Sequence, residues 1–265
     1  MNVMIIPAAG RGTRLSFDGP KLLYPLAGKP LITHLIERYK SYIDLFVIVV
    51  NPDAKEDVRK EIDKSCVDFL IDFQLEATGM LDAITMPMDT LQSQQDEIAN
   101  VWISWCDQAS ITAETASNVD KELSKLARRS NTYLTLPTAQ VVSPYIHMQR
   151  DQYGNIDKVL QRRENDEMPE IGENDCGLFA MSGKAYFHEL REFAAIDQTM
   201  GLETKERNFL PFIAWLSQKR GRKESHTKNA SKHQKTVTTL PATDSIETLG
   251  INTVDDAQAL LKAWL

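Results

Sequence analysis

The sequence predicts an α/β domain, with a mainly parallel sheet covered by helices on both faces. Three observations lead to it. Short apolar runs alternate with helical stretches of about 10–15 residues through the first half of the chain, the pattern of βαβ units. The first apolar run opens directly into a glycine-bearing loop, and ligands on such sheets sit beyond the carboxyl ends of the strands. The chain has 265 residues, 42% hydrophobic and 25% charged, enough for one sizeable core.

The elements follow in order. Val3–Ile6 reads as a buried strand, followed by a helix at about Leu31–Tyr42. Leu45–Val50 is the second strand, before a charged amphipathic helix at Ala54–Lys64. Val67–Phe73 precedes a helix at Met80–Leu91, and Val101–Cys106 precedes one at Ala113–Arg129. A further strand begins at Thr132–Leu136. Beyond residue 140 the alternation weakens. Ser143–Arg150 and Ile156–Arg163, separated by Gln152-Tyr153-Gly154-Asn155, read as a hairpin. Gly177–Met181 is another strand, followed by helices from Lys184 to Ala194 and from Glu206 to Lys219. Thr236–Leu240 is the last strand and Val254–Trp264 the terminal helix. The second half thus extends the same sheet as an α+β region that closes over a ligand.

Charge and composition exclude several classes. A formal charge of −7 leaves no basic excess for a general nucleic-acid binder. No apolar run approaches a membrane span, and Met1–Ile6 is too short for a signal-peptide core. Three cysteines, Cys66, Cys106 and Cys176, lack metal-site spacing and are odd in number, which points to a reducing cytoplasm. The basic segment Lys219–Lys235 reads either as a solvated loop or as an anion-binding arm.

The loop at residues 7–30 carries the chemistry. Ala8 and Ala9 lead into Gly10, Arg11, Gly12, Thr13 and Arg14, and Pro20-Lys21 follows. Glycines there let the backbone turn tightly and bring N–H groups to a phosphate. Arg14 adds a planar fork of charge and Lys21 a point charge. Leu15 occupies the position where a P-loop or a dinucleotide fingerprint would need glycine, so neither signature is present. The arrangement A-A-G-x-G-T-R-x(6)-K instead resembles the signature loop of the sugar-1-phosphate nucleotidylyltransferases.

That resemblance implies a Rossmann-like three-layer α/β/α sandwich with a mainly parallel mixed sheet, of the nucleotide-diphospho-sugar transferase type. It implies one domain over 1–265, with a nucleotide-binding half at 1–140 and a sugar-phosphate-binding half at 141–265. The implied reaction joins an NTP, by resemblance a pyrimidine one, to a sugar-1-phosphate and releases pyrophosphate, with Mg²⁺ as cofactor. A homo-oligomer is compatible with it. The same fold and loop would serve a cytidylyltransferase for a non-sugar phosphate such as phosphocholine, or a non-catalytic nucleotide-sugar sensor.

Further motifs extend the resemblance. Gln74 to Ala83 resembles the family's Q-x(4)-G-T-x-x-A, with Met80 in place of threonine. It implies that Gln74 bonds the base and that Gly79 lets the base pack on backbone. Asp107, after the strand at Val101–Cys106, matches the metal aspartate; it could equally cap the helix near Thr112. Asn252, in Gly250-Ile-Asn-Thr, matches the second metal ligand, with helix capping as the other role and Thr253 to Asp256 as a capping box by spacing. In the sugar-phosphate region Gln161 and Arg163 replace the family's Glu-x-Lys, and Asp175 replaces the Asn of Asn-x-Gly177. Arg163, Asp175 and Gly177 are thereby implied in binding the sugar phosphate. Glu203 either contacts sugar hydroxyls or caps the following helix.

Overall fold

The computed structural model describes every residue except Arg11, Asn131, Asp197, Gln198 and 225–234. Lys228, Lys232, His226 and His233 of the basic segment therefore lie outside the described residues, as do the side chains of Thr13, Arg220, Arg222 and Lys223.

Four parallel strands form one side of an eight-stranded sheet: β1 (Asn2–Pro7), β4 (Leu45–Val50), β5 (Phe69–Phe73) and β6 (Asn100–Ser104). β11 (Leu178–Ser182) pairs antiparallel with β6, and β7 (Leu134–Val142) pairs antiparallel with β11, so β7 again runs with β6. β10 (Ile171–Asp175) pairs antiparallel with the far end of β7, and β12 (Val237–Pro241) pairs parallel with β7. The expected mainly parallel mixed sheet is present. Two short pairs lie apart: β2 (Pro25–Leu26) with β3 (Lys29–Pro30), and the hairpin of β8 (Ile146–Arg150) and β9 (Ile156–Gln161).

Strand alternation splits the core in two, because successive side chains point to opposite faces. Val3, Ile5, Val47, Val49, Val101 and Ile103 pack toward α3 (Met80–Thr85) and α7 (Pro211–Glu224). Met4, Ile6, Phe46, Ile48, Val50 and Trp102 pack toward α1 (Leu31–Tyr39), α2 (Lys55–Ile62) and α5 (Ala113–Ala127). A third cluster joins Leu15, Leu26, Leu31, Ala109 and Ile251 to α8 (Val254–Ala263). The Leu15 that breaks both phosphate signatures is thus the apolar anchor of its loop.

Several elements differ from the sequence reading. The helix expected at Met80–Leu91 is two, α3 and α4 (Pro87–Thr90), since Pro87 cannot donate back along a continuous helix. The helix expected from Glu206 starts at Pro211, where a residue without an N–H suits the first turn. The expected Lys184–Ala194 helix runs as a π-helical turn over Ala185–Leu190 and then α6 (Arg191–Ala194). β10 had no expectation at all, since Ile171-Gly-Glu-Asn-Asp is mostly polar.

Candidate active site

The topology gathers the expected residues on one edge. The carboxyl ends of β1, β5 and β6 lead to the loop after Pro7, to Gln74 and to Asp107. β11 runs the other way, so its amino end brings Gly177 and Asp175 to the same edge. β12 runs with β7 and delivers the segment ending at Asn252 there as well.

The loop is held from below. The Ala8 N–H donates to the Val49 carbonyl at 2.7 Å, and the Leu15 N–H to the Gly12 carbonyl at 3.0 Å. Ala8 is buried, while Gly10 and Arg14 are exposed at the rim. Gly12 adopts φ 61, and a Cβ there would lie 2.8 Å from the Lys21 Cβ. Only glycine fits a left-handed residue packed so closely on a lysine stem.

Lys21 then reaches Asp107 and Asn252 together. Its ammonium pairs with Asp107 Oδ2 and donates to Asn252 Oδ1 at 2.8 Å. Asn252 Nδ2 donates to the Gly250 carbonyl, which turns the amide oxygen toward the lysine. Gly250 packs on the Asp107 carboxylate, where a Cβ would come within 3.3 Å. The Asp107 carbonyl accepts from the Ile251 N–H at 3.0 Å, tying the two segments together.

The capping alternatives are resolved by other residues. Thr112 itself caps α5, accepting from the Thr115 N–H at 3.1 Å. Thr253 and Asp256 form the capping box of α8. The side chains of Asp107 and Asn252 both turn to Lys21.

Behind them stands a carboxylate that the sequence reading missed. Glu247 is fully buried and accepts from the Thr112 N–H, Thr115 Oγ1, the Thr243 N–H and Oγ1 and the Asp244 N–H. Gln108 donates to the Glu247 carbonyl at 2.6 Å and to Ser110 Oγ at 2.7 Å. This network fixes the 243–252 segment against 107–115. Its one local signal was the Asp244-x-x-Glu247 capping box.

Gln74 is buried, and its Nε2 donates to the Gly79 carbonyl at 3.0 Å and to Thr78 Oγ1 at 3.3 Å, leaving Oε1 as its acceptor. Gly79 has φ 124, and a Cβ there would lie 2.4 Å from both N and O of Arg207. The backbone packed on Gly79 is therefore the chain's own.

On the far side, Arg163 lies 3.9 Å from Glu164 and 3.7 Å from Glu206. Asp175 is buried and accepts from the Gly177 N–H at 3.0 Å; burial pushes its carboxyl up to about 6 against that bond. Gly177 lies against Trp105 and Gln108. Gln161 is buried and accepts from Asn208 Nδ2 at 2.8 Å. Glu203 is exposed, with its N–H bound by Glu164. The Cys106 thiol beside Asp107 is pushed up to about 12, first by burial and then by the carboxylate.

A glycine loop after the first strand of a parallel sheet, facing a lysine and a carboxylate at the end of a central strand, defines a nucleotidyltransferase-type α/β domain. The chain belongs to the MobA-like NTP transferase domain family, whose pattern matches residues 4–166. It is 27% identical over 184 residues to the bifunctional protein GlmU of Pseudomonas paraeruginosa, a match covering 68% of this chain and 38% of that protein. The chain thus spans well under half the length of that curated relative. The fold is shared with HddC from Yersinia pseudotuberculosis at TM-score 0.61 and 14% identity, covering 100% of both chains. It is also shared with the 4-diphosphocytidyl-2C-methyl-D-erythritol synthase of Anaerococcus prevotii at TM-score 0.62 and 11% identity, covering 100% of this chain and 98% of that one. Among the described residues no helix is long and apolar enough to cross a membrane.

Proposed function

We propose that this nucleotidyltransferase joins the nucleotidyl group of a pyrimidine NTP to a sugar-1-phosphate in the cytoplasm, releasing pyrophosphate. The observation that carries this reading is the meeting of Lys21, Asp107 and Asn252, from three distant parts of the chain, beside the glycine loop. The sugar phosphate oxygen attacks the α-phosphorus and pyrophosphate leaves in line. Such a transfer needs positioning and charge neutralisation rather than a covalent step. Ala8, Ala9, Gly10, Gly12 and Thr13 cradle the phosphates, Arg14 neutralises the departing β- and γ-groups, and Lys21 neutralises the α-phosphate. The acceptor phosphate is already ionised near neutral pH, so no general base is required.

The donor set fits Mg²⁺. A carboxylate oxygen and an amide oxygen, both hard, converge on one cation, here the Lys21 ammonium. Asp107 and Asn252 would hold the metal, which when bound supplies positive charge to the phosphate oxygens. Gln74 Oε1 offers an acceptor to an N–H on the base edge. Arg163 clamps the acceptor phosphate, and Asp175, Gly177 and Glu203 line the sugar side.

A screen of ATP, CTP, GTP and UTP against a panel of sugar-1-phosphates, with Mg²⁺ and pyrophosphate release as readout, tests this reading. One pair should turn over in the wild type and fail with Asp107→Ala. Near wild-type turnover in that variant would sink the assignment. Asp175 gives a second reading some weight, since its carboxyl suits a cationic acceptor such as phosphocholine. Phosphocholine therefore belongs in the panel.

A further inference from the structure

Apart from Glu203 on the sugar side, the segment 199–208 has no part in the chemistry above, yet it touches both ends of the site. It folds on itself through an antiparallel bridge between Met200 and Arg207, with the Gly201 N–H donating to the Glu206 carbonyl at 2.9 Å.

Its donor-side bonds all come from Arg207. The Arg207 N–H donates to the Thr78 carbonyl at 2.8 Å, and its carbonyl accepts from the Leu81 N–H at 3.1 Å. Its guanidinium pairs with Asp82 at 2.6 Å, bonds Thr199 Oγ1 at 3.2 Å and also reaches the Ala194 carbonyl. The turn so fixed contains the Gly79 carbonyl that orients Gln74.

Its acceptor-side bonds go to the turn after β9. Glu164 accepts from the Glu203 N–H at 2.9 Å and from Thr204 Oγ1 at 2.7 Å. Burial raises the Glu164 carboxyl, but these bonds and Arg163 outweigh it and hold the group below its usual range. Asn208 binds Gln161 from the same segment. Gln161 and Arg163 flank the acceptor side.

We propose that Arg207 is a positioning residue, and that through segment 199–208 it couples the nucleotide turn at 74–82 to the acceptor turn at 161–164. Ordering one turn then orders the other, so each substrate favours the other's binding by the same factor. This inference rests on the nucleotide reading of the loop at 8–21 and of Gln74.

Amide hydrogen exchange of the full chain, with Mg²⁺ and a mixture of ATP, CTP, GTP and UTP as probe, reads the link. In the wild type, exchange should slow at 8–21 and 74–82 and, by about fivefold or more, at 161–164 and 199–208. Arg207→Met should keep the protection at 8–21 and lose it at 161–164, and Arg207→Lys, which can still reach Asp82, should restore part of it. With the pair found by the screen, Arg207→Met should raise the acceptor KM about tenfold at saturating nucleotide while kcat stays within about threefold. Asp82→Asn repeats the test with the guanidinium's bonds to Thr199 and the Ala194 carbonyl left in place. Wild-type protection that stops at residue 82, or unchanged protection at 161–164 in both Arg207→Met and Asp82→Asn, would overturn the coupling alone. No protection at 8–21 in the wild type would overturn the nucleotide reading and the coupling with it.

Discussion

The Lys21 ammonium lies 2.8 Å from Asn252 Oδ1, across 231 residues of chain, and shares that position with the Asp107 carboxylate. One cation therefore already sits between the two proposed metal ligands. Lys21→Met should lower turnover by about 10²–10³-fold or more, the scale of losing one preorganised charge at a transition state. Removing a competing positive charge should also tighten Mn²⁺ binding in the absence of nucleotide, by about tenfold. Titration calorimetry with Mn²⁺ checks this, with Lys21→Arg as the charge-preserving comparison. Weaker binding in Lys21→Met would show that the lysine supports the cation site instead of filling it.

Gly79→Ala places a methyl group into the Arg207 backbone at a residue with φ 124. Both steric and dihedral strain act there, so a loss of about 2 kcal/mol or more is expected from urea denaturation. The Gln74 amide would lose its fixed partner, and the NTP KM should rise. A variant as stable as the wild type would mean that the Arg207 segment moves away at little cost.

Glu247→Ala leaves five donors without their buried acceptor. Groups bound to a buried charge are costly to abandon, and a loss on the order of 3 kcal/mol is expected. The 243–252 segment also loses its anchor, so Mn²⁺ binding should weaken even where the variant remains folded. Equal stability in thermal and urea melts would contradict the role assigned to this network.

Much of the site was legible because its residues stand in local patterns. A strand followed by small residues, Gly10, Gly12, Arg14 and Lys21 is a compact signal, and Asp107 follows directly from a strand end. Asn252 was legible with an ambiguity that only the Thr253–Asp256 capping box resolves. Arg207 was invisible because the partners that tie it to the nucleotide turn, Thr78, Leu81 and Asp82, lie far off in sequence. Glu247 was hidden for a related reason, since the Thr112 and Thr115 donors that tie it to α5 lie 135 and 132 residues away. β10 escaped notice because its pairing with β7 comes from register, not from an apolar run.

Asp175 gives a pH-dependent prediction whose sign follows from its burial. Its carboxyl titrates at about 6 in the folded chain against 3.8 for the free group, so the folded state binds the extra proton between those values. Stability from this group is fully present below 3.8 and is lost as pH rises through about 6. Asparagine cannot ionise and keeps an oxygen for the Gly177 N–H. Asp175→Asn should therefore match the wild type near pH 4 and exceed it above pH 7, by up to about 2–3 kcal/mol at ~1.36 kcal/mol per pKa unit. Urea denaturation at a series of pH values checks the curve. A wild type that is the more stable of the two at pH 8 would mean that the ionised carboxylate has a partner which outweighs its desolvation. The same variant bears on the acceptor: if the carboxylate reads a cationic headgroup, the phosphocholine KM rises in Asp175→Asn while sugar-1-phosphate turnover is retained.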